Sequence, residues 1–246
     1  MEYFCLYLCP PLKKQILLNP MSEKKHEEGV DIQQTLSKAE HYLNENKKSL
    51  SIIVGAIFVI VLGYLGYKQF WVKPQEESAS KAIFYAQQYF KADSLDLAMN
   101  GQGKMLGFKQ IIDQYGSSSS ANLAHYYLGM CYLKKGQYKE AIESLKSYDA
   151  EDDLSGAMAL GGIGDANLEL GNKDEALSYY KKAAGYDDNK FTSPYFMKKT
   201  AFVYEQMGDY KTAAETYQKI QNDYPDSNEG REAPKYIARA EAMIKE

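Results

Sequence analysis

The longest apolar stretch lies near the N-terminus of a chain that is otherwise rich in charged residues. Residues 49–67 carry no charged side chain and include eleven Leu, Ile, Val and Phe residues. As a helix they would rise about 28 Å, close to the roughly 30 Å hydrocarbon core of a bilayer. Lys48 precedes the stretch and Trp71 follows it, as expected of flanks at a membrane–water interface. The pattern predicts a single transmembrane helix over residues 49–72.

Two other interpretations of this stretch fit less well. A signal peptide has a shorter apolar region and an early cleavage site, whereas the best site here, residues 78–80, comes late. A buried core helix would need a partner that is equally apolar, and the downstream sequence offers none. Pro74 is expected to break the helix just beyond the span.

The side of the membrane is left open by the charges around the span. Three lysines lie close to it on each side, so the positive-inside rule favours neither orientation. They are Lys38, Lys47 and Lys48 before the span, and Lys68, Lys73 and Lys81 after it.

The region before the span is predicted to contain little folded structure. Residues 1–20 are expected to be unstructured, or untranslated if synthesis begins at Met21. Residues 21–48 are expected to form a flank with one short amphipathic helix, which is either a solvated extension of the span or a helix that lies on the membrane surface or contacts a partner. Its apolar positions are Ile32, Leu36, Ala39 and Leu43.

A second pattern of apolar positions occupies the rest of the chain, and it repeats at about the length of one helical hairpin. Three segments share it, and their starts differ by 35 and 37 residues: 125–148, 160–183 and 197–220. Each has two helical apolar patterns joined at a glycine, where a left-handed backbone is expected. These glycines are Gly136, Gly171 and Gly208. Asp174 and Asp209 are placed to help start the second helices.

These blocks resemble the tetratricopeptide repeat. Small residues stand where paired helices should touch: Gly129, Gly164 and Ala201, facing Ala141, Ala176 and Ala213. The resemblance implies an all-α fold, a superhelix of helical hairpins with a concave face, preceded here by the single transmembrane helix.

The predicted repeat domain covers residues 75–246 and has five parts. They are a degenerate pair at 78–116, repeats at 122–155, 157–190 and 194–227, and a capping helix at 229–244. In the degenerate pair, residues 78–99 predict one helix and a second is expected to end at Gly116. The last helix is amphipathic and would cover the final apolar face of the stack.

Composition and charge argue against several classes of function. A net charge of −4 gives no basic surface for nucleic acid. The three histidines and three cysteines assemble into no catalytic or metal-binding set. We therefore expect no enzyme, no cofactor, no metal site and no small-molecule substrate. The predicted partners are proteins or extended polypeptides, and the membrane through residues 49–72.

The resemblance to tetratricopeptide repeats also implies which residues line the concave face. These are first-helix positions away from the packing face: Leu123, Tyr126, Met130, Leu133, Met158, Asp165, Leu168, Tyr195, Lys198, Phe202 and Glu205. Their Tyr, Met and Phe side chains suit adaptable contact with extended polypeptide. The alternative is that many of them simply pack against neighbouring helices.

The order of parts is similar to that of the ancillary SecYEG translocon subunit family. The resemblance rests on residues 43–58, on Trp71, and on residues 78–89 after the span. It implies a bacterial inner-membrane protein with a cytoplasmic N-terminus and periplasmic repeats. Its partners would be the secretion translocon and periplasmic chaperones. The alternative is a cytoplasm-facing adaptor that recruits soluble proteins to a membrane complex.

Overall fold

The computed structural model describes residues 46–244, which are almost entirely helical. The predicted amphipathic helix before the span and residues 1–20 lie outside the described part. The helices are α1 Lys47–Tyr67, a π-helical turn Lys68–Val72, α2 Lys73–Lys91, α3 Leu95–Asn100, α4 Phe108–Tyr115, α5 Ser119–Lys134, α6 Tyr138–Lys146, α7 Asp153–Glu169, α8 Lys173–Ala184, α9 Thr192–Gln206, α10 Tyr210–Asp223 and α11 Asn228–Ile244.

The chain divides into two compact units, Met1–Val59 and Ile60–Glu246, whose boundary falls inside α1. In the described part of the first unit, the residues from Lys47 onward are helical and exposed. Among the described residues one helical stretch, Lys47–Lys91, is long and apolar enough to cross a membrane. The core helix of a soluble protein can be equally long and apolar, but here the most apolar 18 residues are 0% buried.

The predicted helix break at Pro74 is wrong, because a wider turn accommodates the proline. The π-helical turn Lys68–Val72 comes just before it, and the Lys73 N–H donates to the carbonyl of Lys68, five residues back. A π-turn shifts the backbone carbonyls that a proline ring would otherwise meet in an α-helix. The helix therefore continues as α2 to Lys91.

The first helix of the degenerate pair is shorter than the single helix predicted over residues 78–99. It ends at Lys91, and Asp93 then adopts a left-handed backbone with φ of +55°. A short helix, α3, then forms over the end of the predicted first helix, and α4 corresponds to the predicted second helix. Phe108 and Ile111 of α4 are fully buried against α5, so the pair still shares a core with the first repeat.

The α2 helix is attached to the first repeat through Glu76. One carboxylate oxygen accepts from the backbone N–H of Ser119 at 2.7 Å, and the other accepts from the hydroxyl of Ser120 at 2.6 Å. Both serines lie in the first turn of α5, where backbone N–H groups have no partner within the helix. A side chain of one element thus caps the helix of another.

Three helical hairpins and a final helix make up the rest of the second unit. They are α5 with α6, α7 with α8, α9 with α10, and the capping helix α11. Neighbouring hairpins share their cores: Tyr180 of α8, for example, stacks on Phe196 of α9 with ring centres 6.4 Å apart. The predicted close approaches occur as well, since Ala141, Ala176 and Ala213 are fully buried.

The three hinge glycines have the predicted conformation. Gly136, Gly171 and Gly208 have φ of +74°, +81° and +80°. Asp209 caps α10 by accepting from the backbone N–H of Thr212 at 3.1 Å. Asp174 lies inside the first turn of α8, where an acidic side chain faces the positive end of the helix dipole.

Candidate protein-binding cavity

Four of the predicted groove residues meet in one cavity of about 470 Å³, called here the central cavity. Three first helices contribute to it: α5, α7 and α9. The predicted residues among its lining are Leu133, Asp165, Leu168 and Phe202. The others are Tyr138, Glu169, Tyr180 and Lys199.

Asp165 organises the polar part of the central cavity. Its Oδ1 atom accepts from the Tyr180 hydroxyl at 2.5 Å and from the Lys199 ammonium at 2.5 Å. Burial and the Asp165 carboxylate raise the pKa of Tyr180, so its phenol stays a donor. Lys199 also lies over the rings of Tyr180 and Tyr195, 5.5 Å and 5.3 Å from their centres. These contacts fix the carboxylate and the ammonium in place.

Glu169 is the second carboxylate of the central cavity. It is exposed, and one of its oxygens accepts from the Tyr138 hydroxyl at 3.3 Å. No lysine or arginine of the described residues forms an ion pair with it. The cavity therefore holds a carboxylate whose charge is not neutralised by a neighbouring side chain.

The apolar part of the central cavity comes from one side chain of each repeat. Leu133 and Leu168 are half-buried, and Phe202 is 47% exposed. A phenylalanine this exposed, beside two leucines in a concave site, gives apolar area that a ligand can cover.

Two more predicted residues, Met158 and Tyr195, lie in a different cavity of about 560 Å³. This cavity is at the start of α7 and α9, and its rim includes two highly exposed side chains. They are Leu154, 60% exposed, and Phe191, 83% exposed.

The remaining predicted residues make intramolecular contacts. Leu123 packs against the hydrophobic cluster that contains Phe108 and Ile111. Tyr126 and Met130 pack against the cluster of Leu145 and Ile163. The other two face the capping helix.

The residues that face the capping helix form ion pairs with it. Lys198 pairs with Glu232 at 2.7 Å, and Glu205 pairs with Arg239 at 2.6 Å. The second oxygen of Glu205, Oε1, is buried without a hydrogen-bond partner. The structure thus gathers some predicted residues into cavities and engages others in packing.

Sequence reasoning missed four residues of the central cavity. Glu169 and Lys199 each follow directly after a predicted position, so widening the predicted set by one residue would have found them. Tyr180 is a core residue of the second repeat, 1% exposed, yet its hydroxyl reaches Asp165. Tyr138 lies on a second helix, where the repeat pattern gives no sign of a groove position.

The structure also bears on metal binding and thiol chemistry. The described residues contain no group of three or more His, Cys, Asp or Glu side chains placed to hold a metal ion. Cys131 is fully buried, and burial raises the pKa of its thiol to about 12.

Stacked helical hairpins with left-handed glycine hinges define a class of repeat, and the three hairpins are similar to tetratricopeptide repeats. Models of the tetratricopeptide repeat match residues 123–147, 159–190 and 199–227. Tetratricopeptide repeat domains bind proteins.

Two curated relatives match part of the chain. Tetratricopeptide repeat protein 29 of Macaca fascicularis is 31% identical over 104 residues, covering 39% of this chain and 22% of that protein. The Homo sapiens protein of the same name is 30% identical over 104 residues, and the match again covers 39% of this chain and 22% of that protein. The match thus spans less than a quarter of the length of either relative.

One solved structure with a TM-score above 0.5 shares the helical fold. A Podosopora anserina protein described as a kinesin light chain with nearly identical TPR-like repeats has a TM-score of 0.55 at 14% identity, covering 69% of this chain and 88% of that one. A MamA protein has a TM-score of 0.48 at 22% identity, covering 69% of this chain and 93% of that one. The matches give no support to the ancillary SecYEG translocon subunit family.

Proposed function

We propose that this protein is a membrane-anchored scaffold that binds a segment of a partner polypeptide in the central cavity. The observation that carries the proposal is the exposure of Phe202 beside Leu133 and Leu168, around the fixed pair of Asp165 and Lys199. Apolar side chains held on rigid helices bind with little loss of their own conformational freedom. The surrounding hydrogen-bonding groups can orient the backbone of a bound segment.

Copurification from membranes tests the proposal. The full chain and its Phe202→Ser variant would be purified in mild detergent, and the bound proteins compared by quantitative mass spectrometry. Phe84→Ser is the matched control, because Phe84 is 54% exposed on α2 and lies outside the central cavity. We expect Phe202→Ser alone to lose a specific set of partners. Equal recovery with all three proteins would contradict the proposal.

We propose that α1 is the membrane anchor. Its side chains are apolar and exposed, for example Val59 at 68% and Leu62 at 52%. Leaving such area in water is unfavourable by about 25 cal/mol per Å². In a bilayer the same side chains favour insertion, and no charge within residues 49–67 opposes it.

Two lysines in α1 test the anchor. Each lysine at the centre of a span costs about 2.5–3.5 kcal/mol, so Val59→Lys with Leu62→Lys should release the protein from membranes. Alkaline carbonate extraction would measure this release, with the double variant Val59→Leu and Leu62→Val as the control. Retention of the double-lysine protein in the pellet would contradict the anchor.

We further propose that the repeats face the periplasm of a bacterium, where they act as a translocon-associated or chaperone-like factor. Support comes only from the order of parts: a short flank, a span, and repeats. A cytoplasm-facing adaptor is the alternative, since the lysines on the two sides of the span balance. A C-terminal alkaline phosphatase fusion separates them, because this enzyme is active only after export. An inactive, well-expressed fusion would reject the periplasmic placement.

A further inference from the structure

The charges of the central cavity do not balance, and this bears on which ligand it accepts. Two acidic side chains and one basic side chain line it: Asp165, Glu169 and Lys199. Asp165 and Lys199 form an ion pair at 2.5 Å and neutralise each other. Glu169 remains, so the cavity carries one uncompensated negative charge next to its apolar side chains.

Three basic side chains that are close in sequence to residues of the cavity are engaged elsewhere. Lys134 pairs with Asp93 at 2.7 Å, and Lys135 pairs with Asp96 at 2.6 Å. Lys173, four residues after Glu169, donates to the carbonyl of Gln206 at 2.8 Å. No ion pair among the described residues neutralises Glu169, so its charge is available to a cation of a ligand.

The position of Glu169 makes it accessible to a ligand that fills the apolar part of the cavity. Glu169 follows Leu168 directly at the end of α7, and both line the cavity. The Tyr138 hydroxyl holds one carboxylate oxygen, Oε2. The other carboxylate oxygen, Oε1, is free to accept a charge-assisted hydrogen bond from a ligand.

We infer that the central cavity binds a polypeptide segment in which a large apolar side chain stands next to a lysine or arginine. The apolar side chain would cover Leu133, Leu168 and Phe202, and the cation would pair with Glu169. A segment with an acidic residue at that place would meet like charge and bind less well. This inference rests on the proposed function, and it adds the chemistry of the ligand.

Two labelled model peptides test the inference with the full chain in a nonionic detergent. One alternates Leu and Lys between Ser spacers, and the other has Glu in place of each Lys. Fluorescence anisotropy would give both dissociation constants, with protein-free micelles as the blank. The proteins are the wild type, Glu169→Gln and the matched control Glu215→Gln, because Glu215 is exposed on α10 and outside the cavity.

We expect the wild type and Glu215→Gln to bind the Leu/Lys peptide about 1.5- to fivefold more tightly than the Leu/Glu peptide, the range of an exposed ion pair. Glu169→Gln should remove this preference. Added salt should reduce the preference in the wild type by screening. Equal binding of the two peptides by wild type, or a preference that survives Glu169→Gln, would overturn the inference.

The Phe202→Ser variant distinguishes failure of the charge preference from failure of the proposed binding cavity. Phe202→Ser should weaken both peptides equally, because it removes apolar contact without changing charge. Weakening by Phe202→Ser without any charge preference would contradict the inference and leave the binding cavity supported. Peptide binding that is the same in wild type and Phe202→Ser would count against the proposed function itself.

Discussion

Gly129 and Gly164 determine how closely the two helices of the first and second repeats approach. A Cβ atom on Gly129 would lie 2.6 Å from Cγ of Leu145, and one on Gly164 would lie 2.7 Å from the ring of Tyr180. Both neighbours are almost completely buried, so they have little room to move. Hydrogen at these positions is what lets each hairpin close.

Gly164→Ala should therefore lower the free energy of unfolding. Overpacking a core costs about 1–3 kcal/mol, and the better helix propensity of alanine returns up to about 1 kcal/mol. Tyr180 cannot retreat without losing its hydrogen bond to Asp165. Urea unfolding followed by circular dichroism measures the change.

Gly185→Ala is the control, because its new Cβ would make only an ordinary contact, 3.5 Å from the carbonyl of Lys181. If Gly164→Ala proved as stable as Gly185→Ala, the helices would not be in contact at this point.

Packing residues could be predicted from the sequence because they recur at the repeat period. Gly129, Gly164 and their alanine partners follow that rule and were found. Groove residues follow it less well, since their environment depends on the neighbouring hairpin. Lys198 was placed in the groove, but it pairs with Glu232 of the capping helix, whereas Lys199 points into the central cavity.

Helix ends decide how the elements of the second unit are connected. At the start of α5, Glu76 of another helix adds to the cap that Ser118 provides, and the start of α10 is capped locally by Asp209. The local cap could be anticipated from sequence because it acts over three residues. The cap from Glu76 spans more than forty residues, and the π-helical turn before Pro74 has no clear sequence pattern, so neither was predicted.

Removing the Glu76 carboxylate should destabilise the junction between α2 and α5. Loss of a helix cap costs about 0.5–2 kcal/mol, so we expect Glu76→Ala to lower the free energy of unfolding by that amount. Its exposed neighbour Glu77 provides the control variant, Glu77→Ala. Equal urea midpoints for the two variants would show that the Glu76 contacts contribute nothing to stability.

The Asp209 cap should make stability depend on pH. Its hydrogen bonds to Thr212 lower the pKa of Asp209 below the ordinary value of 3.8. A lowered pKa means that the stabilisation is present above pH 3.8 and is lost as pH falls through the native value. Asp209→Ala should therefore be less stable than wild type at pH 7, and the difference should shrink at strongly acidic pH. A difference that stays constant down to pH 2 would rule out the charged cap.

At the scale of the whole molecule, an apolar helix and a stack of repeats occur in one chain. The helical repeats, their order and the apolar stretch follow from periodicity and hydropathy, and all were predicted. The shape of the central cavity did not follow, because this cavity takes side chains from three repeats and depends on how these pack together. Leu133, Leu168 and Phe202 become one apolar surface only in the folded stack.

Site-specific photocrosslinking in intact cells tests the central claim most directly. A benzophenone amino acid would replace Phe202 in the central cavity or, as a control, Ser178, which is exposed on α8 outside it. We predict that position 202 crosslinks to defined polypeptides, through segments that join apolar and basic residues, and that position 178 does not. Absence of adducts at position 202, or the same adducts at both positions, would contradict a protein-binding cavity at this site.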